Sequence, residues 1–376
     1  MRLTRTRRYM LLRNAAKRLA PGQRSEHGPL DDSADLEDAE PVMLELPAGV
    51  PKPRVGLVKD VDDYPYWTKY RRFLAANDVP YEIYDIHRST WRQAAESFDM
   101  VVWRPMSFPF ELDECRRKFH VLEQLLGKVC HPSFAEVMLY EDKLLQYEVL
   151  RQHDLPVIDT FITSSLDEAL AHVAVCGYPA VWKLSCGSGS LGVELARDRR
   201  TAERWLRQAF SFAGRATYWP YVGQKNYVYL QRLEPNSGWD VRCIVVGDAA
   251  FGYYRDVPPG EFRASGMGTV RREAPPAEAV RIARRLARAL DLPQVAVDLL
   301  ESPSDGRLSI IEFSSFIQIG TPRQLTVDGV PGMLVFSDDD TYEFVPAKVW
   351  LQELTLKRVM ETRWTAAARL REEGGR

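Results

Sequence analysis

Only five cysteines and six histidines occur in 376 residues. Cys115, Cys130, Cys176, Cys186 and Cys243 are scattered, and no two form a C-x-x-C pair. An odd, dispersed set argues against a disulfide framework and a structural zinc site and suits a reducing compartment. No run approaches the roughly 18 apolar residues of a transmembrane helix. Met10-Leu-Leu12 is too short for the apolar region of a signal peptide, so a cytoplasmic protein is expected. The net charge of −2 gives no general basic field, and nucleic acid is not an expected partner. No internal repeat is visible. What is present is ordinary: 45% hydrophobic and 27% charged residues, enough chain for two or three domains with a sizeable core.

Charge is uneven at the start. Residues 1–24 carry eight Lys/Arg and no acid, whereas residues 25–45 carry eight Asp/Glu and no base. Residues 1–50 therefore read as a charged, disordered tail. Residues 7–19 also fit a basic amphipathic helix, which would give residues 1–24 a contact with an anionic membrane surface or a protein partner.

Residues 51–132 alternate strand and helix patterns: strands at 54–58, 81–86, 100–103 and 129–132, with helices at 68–77 and 111–126. That alternation predicts a small parallel α/β domain. Ligands of such sheets gather at the carboxyl ends of the strands, which makes Asp60, Asp62, Asp63, Arg104 and the 105–109 loop candidate substrate contacts. A larger unit is expected over residues 133–336. It opens with one helix over 134–153, followed by a strand at 156–162 and a helix from Ser165 with Glu168 in a capping box. A hairpin over 239–255 turns at Gly247-Asp248. A helix over 278–290 directs Ile282, Leu286 and Leu290 inward and its four arginines outward, and two last strands lie at 294–300 and 308–313. Residues 337–376 read as a C-terminal helical extension.

Chemistry gathers at four places. Lys183 precedes a loop of Gly187, Ser188, Gly189, Ser190 and Gly192, whose small residues suit a phosphate cradle. The letters match G-x-G-x-x-G, but residues 193–196 alternate like a strand, so the element is strand–loop–strand and not a dinucleotide turn. Asp298 and Glu312 are lone acids in apolar strands, and each needs a cation. If their strands are neighbours, the two can face one side and bind magnesium; the alternative is structural pairing with Lys or Arg. Arg242 and Arg263 are guanidinium forks suited to carboxylates and phosphoryl groups. Lys143 lies at another segment junction. Together these are the parts for phosphoryl transfer from a magnesium nucleotide.

In order, these pieces resemble the ATP-grasp superfamily, and within it the ribosomal-protein glutamate ligases and related carboxylate–amine ligases. The resemblance is carried by Asp142-Lys143, Val181-Trp-Lys-Leu184, Gly187-Ser-Gly-Ser-Leu-Gly192, Gln231-Arg-Leu-Glu234, Asp240-Val-Arg-Cys-Ile-Val-Val-Gly-Asp248, Gly260-Glu-Phe-Arg263, Val295-Ala-Val-Asp-Leu299 and Ile311-Glu-Phe-Ser314. It implies a mixed α/β (α+β) ATP-grasp fold behind the small parallel α/β domain. It implies ATP as cofactor, with Lys143 and Lys183 on the phosphates, the 187–192 loop over them, and Gln231, Arg232, Leu233 and Glu234 as a hinge beside adenine and ribose. Asp298, Glu312 and Ser314 would hold two magnesium ions, for which manganese could substitute. Arg242 and Arg263 would steady an acyl phosphate. The implied partners are a small-molecule or peptide carboxylate and an amine. Ser314 stands where the family's Glu-x-Asn motif has asparagine, and Arg232 where an acid is common.

Overall fold

Every residue of Val55–Leu57 (β1) is buried, as expected for a strand covered on both faces of a parallel sheet. The computed structural model describes residues 38–60, 65–187, 192–219, 221–263, 269–316, 324–337 and 341–374. The first unit continues through helix Trp67–Ala76 (α1), Tyr81–Ile83 (β2), the short Trp91–Ala95 (α2), Met100–Val102 (β3), helix Pro109–His120 (α3) and Val129–His131 (β4). The sheet is parallel, in the order β2-β1-β3-β4. Pro109 sits at the start of α3, where its missing N–H costs nothing.

The helix expected over 134–153 is two helices, Phe134–Leu139 (α4) and Lys143–Gln152 (α5). Ser133 and Glu136 form a capping box on α4, and Asp142 caps α5. Between them Tyr140 is extended and Glu141 takes φ +56°. The apolar pattern runs through the break, so periodicity alone does not reveal it.

Two antiparallel sheets follow. The first uses Thr160–Thr163 (β5), helix Leu166–Val175 (α6), Ala180–Lys183 (β6), Val193–Ala196 (β7) and helix Arg199–Ala209 (α7). A two-strand ribbon, Arg215–Ala216 (β8) with Gly223–Gln224 (β9), leads to Val228–Arg232 (β10). The order is β5-β10-β6-β7. The expected strand at 156–162 starts later because residues 156–158 bond to the second sheet at Ile310.

The second sheet contains Trp239–Val246 (β11) and Ala249–Asp256 (β12), the expected hairpin, with Val270–Arg271 (β13) on its edge. Helix Ala277–Ala289 (α8) covers it, and Gln294–Glu301 (β14) and Leu308–Ser314 (β15) extend it. Three strands then add to what the sequence suggested: Thr326–Val327 (β16), Val330–Phe336 (β17) and Tyr342–Pro346 (β18). On α8, Arg284 is buried over the Phe336 ring, 3.9 Å from its centre, and does not face outward with its neighbours.

The chain ends in helices Leu351–Val359 (α9) and Thr365–Gly374 (α10), joined by a wide turn at Met360–Trp364. They are a cover for the first unit. Leu356, Val359, Met360 and Trp364 share a core with Tyr70 and Phe73 of α1 and with Val42. Residues 38–50, expected in the tail, therefore belong partly to this core. The Leu44 N–H donates to Asn77 Oδ1 at 2.7 Å, and Ala39 is buried against Trp350.

Candidate active site

Three of the candidate side chains fall on one row across adjacent strands. Arg242 on β11 is the register partner of Asp298 on β14, and Asp298 is the register partner of Glu312 on β15. Directly paired residues share a sheet face. Arg242 donates to Asp298 from Nε at 2.6 Å and from Nη2 at 2.7 Å. Arg255, on β12, lies 2.9 Å from the same carboxylate and forks onto Asp240, with Nε at 2.6 Å and Nη2 at 2.9 Å. Burial alone would raise the Asp298 pKa, but the two guanidinium groups overcome it and hold the carboxyl well below the usual range. Asp240 is pushed up to about 6 by burial, against the pull of Arg255. Burial works against the Glu312 charge too; Lys143, with Nζ 3.2 Å away, outweighs it and lowers the pKa.

The lysines behave differently. Burial opposes the charge on Lys143, but Glu312 and Glu141 reverse the effect and raise its pKa. Lys183 is 3% exposed, and its Nζ meets no hydrogen-bond partner among the described residues. Burial lowers its pKa to about 8. Its Nζ lies 5.8 Å from the centre of the Tyr229 ring, a cation–π contact that supplies no hydrogen-bond acceptor.

One cleft between the two antiparallel sheets is lined by Lys183, Gly187, Arg263, Asp298 and Glu312. Gln231, Arg232, Leu233 and Glu234 line it too, beside apolar Ile158, Val181, Leu300 and Ile311. The Gln231 amide is committed to Thr160 Oγ1 at 3.0 Å, and Arg232 Nε pairs with Glu234 at 2.8 Å. Arg263 reaches the Val193 carbonyl at 3.4 Å and Glu261 at 3.0 Å, which ties the loop after β12 to β7 of the other sheet. Gly192 has φ +80°, and a Cβ there would come within 2.8 Å of the Leu184 side chain. Ser188, Gly189 and Ser190 lie outside the described residues.

Ser314 lies two residues beyond Glu312 on β15, hence on the same strand face. Adjacent carboxylates on one face, lining one cleft, suit a hard divalent cation. Among the described residues no group of three or more His, Cys, Asp or Glu could hold one, so the protein's share would be these two acids and a hydroxyl.

The candidates in the first unit separate from this row. Asp60 Oδ2 accepts the N–H groups of Tyr66 at 2.9 Å and Trp67 at 3.1 Å, at the start of α1. Arg104 is buried over the Tyr66 ring, 4.6 Å from its centre, with Nη1 3.3 Å from the Met106 sulfur. Asp62 and Asp63 lie outside the described residues. Arg255 was missed, although a hairpin turning at Gly247-Asp248 puts it opposite Asp240 by counting.

An ATP-grasp architecture is the class of protein this arrangement defines. D-alanine–D-alanine ligase from Bacillus anthracis, solved in complex with ATP, matches the fold with a TM-score of 0.52 at 14% identity, covering 86% of this chain and 99% of that one. Residues 140–328 match the RimK-like ATP-grasp domain, and the chain belongs to that family. It is 25% identical over 256 residues to the glutamate–LysW ligase ArgX of Sulfurisphaera tokodaii, covering 65% of this chain and 86% of the relative. It is 28% identical over 218 residues to a probable alpha-L-glutamate ligase of Hahella chejuensis, covering 56% of this chain and 66% of the relative. The chain thus spans most of the first relative and just under two thirds of the second. Among the described residues, no helix is long and apolar enough to cross a membrane.

Proposed function

We propose that the protein is a cytoplasmic ATP-dependent ligase that joins a carboxylate to an amine through an acyl phosphate. The observation that carries this reading is Lys183, a buried ammonium with no hydrogen-bond partner among the described residues, beside Glu312 and Asp298 in a cleft with an apolar end. Lys143 and Lys183 bind the α- and β-phosphates of ATP, and the 187–192 loop, with Ser188, Gly189 and Ser190, offers backbone amides to the phosphates. Ile158, Val181 and Leu233 sandwich the adenine, the hinge at 231–234 meets it through backbone groups, and Glu234 takes the ribose. Asp298, Glu312 and the Ser314 hydroxyl hold magnesium, which when bound neutralises charge on the transferring phosphoryl group.

The substrate carboxylate oxygen attacks the γ-phosphorus and ADP leaves. The amine then attacks the acyl carbon, inorganic phosphate leaves, and the amine gives up one proton as the amide forms. Arg242 and Arg263 steady the charge on the acyl phosphate and on the tetrahedral centre. Glutamate is the first substrate to offer, because the matched relatives are named as glutamate ligases. The test is phosphate release from Mg-ATP over a panel of carboxylate and amine pairs that includes glutamate with peptide acceptors. Release that needs both partners supports the ligase; ATP binding with no stimulated release by any pair counts against it. A second reading, a nucleotide-binding regulatory module with little turnover, draws on the full occupation of the Asp298 carboxylate by two arginines. A phosphotransferase would use the same site and stop at the phosphorylated product.

A further inference from the structure

Glu141 has no role in the chemistry above, yet it touches the cleft wall. It sits at the break between α4 and α5 with φ +56°, a conformation glycine would satisfy without strain. The turn needs no side chain, so the turn does not explain the carboxylate. That carboxylate accepts the Gly187 N–H at 2.8 Å. The Gly187 carbonyl in turn accepts from Lys143 Nζ at 3.0 Å, and the same ammonium lies 3.2 Å from Glu312. Gly187 itself has φ +130°, where its backbone has no Cβ to restrict it. Its orientation therefore depends on what its N–H and C=O meet. Ser185, two residues earlier, is already held: its carbonyl accepts the Lys143 N–H at 2.9 Å, and its N–H donates to Tyr227 Oη at 2.9 Å.

We propose that Glu141 is a positioning residue: by taking the Gly187 N–H it anchors one side of Gly187, the residue whose carbonyl, in the next peptide unit, holds the Lys143 ammonium against Glu312 and the cleft. It acts on bound nucleotide only through Gly187 and Lys143. The nucleotide part rests on the ATP reading of the cleft; the anchoring part stands without it.

The test uses the full-length protein and three variants. Glu141→Gly suits the backbone and removes the carboxylate, Glu141→Ala removes it with the strain retained, and Glu141→Gln keeps an acceptor oxygen. Amide hydrogen exchange at residues 185–187 is read in the nucleotide-free protein, and affinity is read with a fluorescent ATP analogue and magnesium. The expected result is exchange at Gly187 about tenfold faster in the Gly and Ala variants, with most of the protection restored by Gln. Analogue binding is expected to weaken about five- to tenfold in the Gly and Ala variants and to stay within about twofold of wild type in Gln. Should Ala fail to fold, Gly decides the matter, because it relieves the left-handed strain. Unchanged exchange in the Gly variant overturns the anchor, and faster exchange with unchanged affinity overturns its role in nucleotide binding. If the wild-type protein binds no nucleotide, the ATP reading fails and the exchange arm still decides whether Glu141 holds Gly187.

Discussion

Arg242 and Asp298 meet across neighbouring strands as register partners joined by two hydrogen bonds of 2.6 and 2.7 Å. Asp298 is 2% exposed, so an isolated carboxylate there would be neutral or ruinous to the fold. With Arg255 adding a second guanidinium at Oδ2, which Arg242 Nη2 also holds, it stays ionised. Its depressed pKa contributes stability that is present above the ordinary carboxylate value and is lost only as the pH falls through the lower folded value. The acid proposed as a metal ligand is thus also the hub of a buried charge cluster, and a metal would share its oxygens with two guanidinium groups.

Replacing it tests both roles at once. Asp298→Asn removes one charge from between two guanidinium groups, and breaking a buried pair this way costs about 3–5 kcal/mol. The expected outcome is a lowered thermal midpoint together with loss of ATP turnover, read by calorimetry and by phosphate release. Wild-type turnover in a folded variant would remove Asp298 from the site.

Lys183→Met should separate function from stability. The Lys183 pKa is lowered to about 8 by burial, so between about pH 8 and its ordinary value near 10.5 the unfolded chain binds more protons than the folded one. Stability of the wild-type protein therefore rises with pH across that window. The methionine variant, free of the buried charge, should be more stable at pH 7 by about 1–3 kcal/mol, with the difference shrinking toward pH 10.5. ATP affinity should fall sharply in the variant at pH 7. Denaturant melts at several pH values check the first claim and titration with ATP the second.

Gly192→Ala meets two obstacles, a φ of +80° and a Leu184 side-chain atom 2.8 Å from the new Cβ. The cost should be about 1–3 kcal/mol, confined to the sheet that carries β6 and β7. Hydrogen exchange should rise in β6 and β7 and stay unchanged in β11 and β14. A uniform rise, or none, would contradict the local account.

Removing residues 1–45 should lower the thermal midpoint measurably, because Val42 and Leu44 cover Tyr70, Phe73 and the C-terminal helices. Val42→Asp in the full chain should act in the same direction. No change in either melting curve would show that this segment adds nothing to the core.

The charged row was legible because an acid inside an apolar strand announces a partner: Asp298 and Glu312 stand out against their valines, isoleucines and leucines. Arg255 did not, since arginines are common in this chain and the Tyr-Tyr before it reads as ordinary strand. The parallel unit was legible from its apolar runs. The α4–α5 break was not, because Leu139, Tyr140 and Leu144 continue a helical pattern through a kink set by Glu141. Strands β17 and β18 were hidden by Pro331, Gly332 and Pro346, residues that usually punctuate loops but sit here late in the strand order, away from the central β11–β14 pairs. The packing of residues 38–50 depends on helices some 300 positions away, a contact no local pattern contains.

The central claim is that this cluster of lysines, arginines and acids uses ATP to activate a carboxylate, and trapping that intermediate tests it most directly. The protein is incubated with Mg-ATP, a candidate carboxylate such as glutamate, and hydroxylamine in place of the amine. The account predicts a hydroxamate of the carboxylate, formed in step with ADP and phosphate, and absent in Lys183→Met and Asp298→Asn. Tight ATP binding without hydroxamate from any carboxylate in the panel, or equal hydroxamate in the two variants, would contradict it.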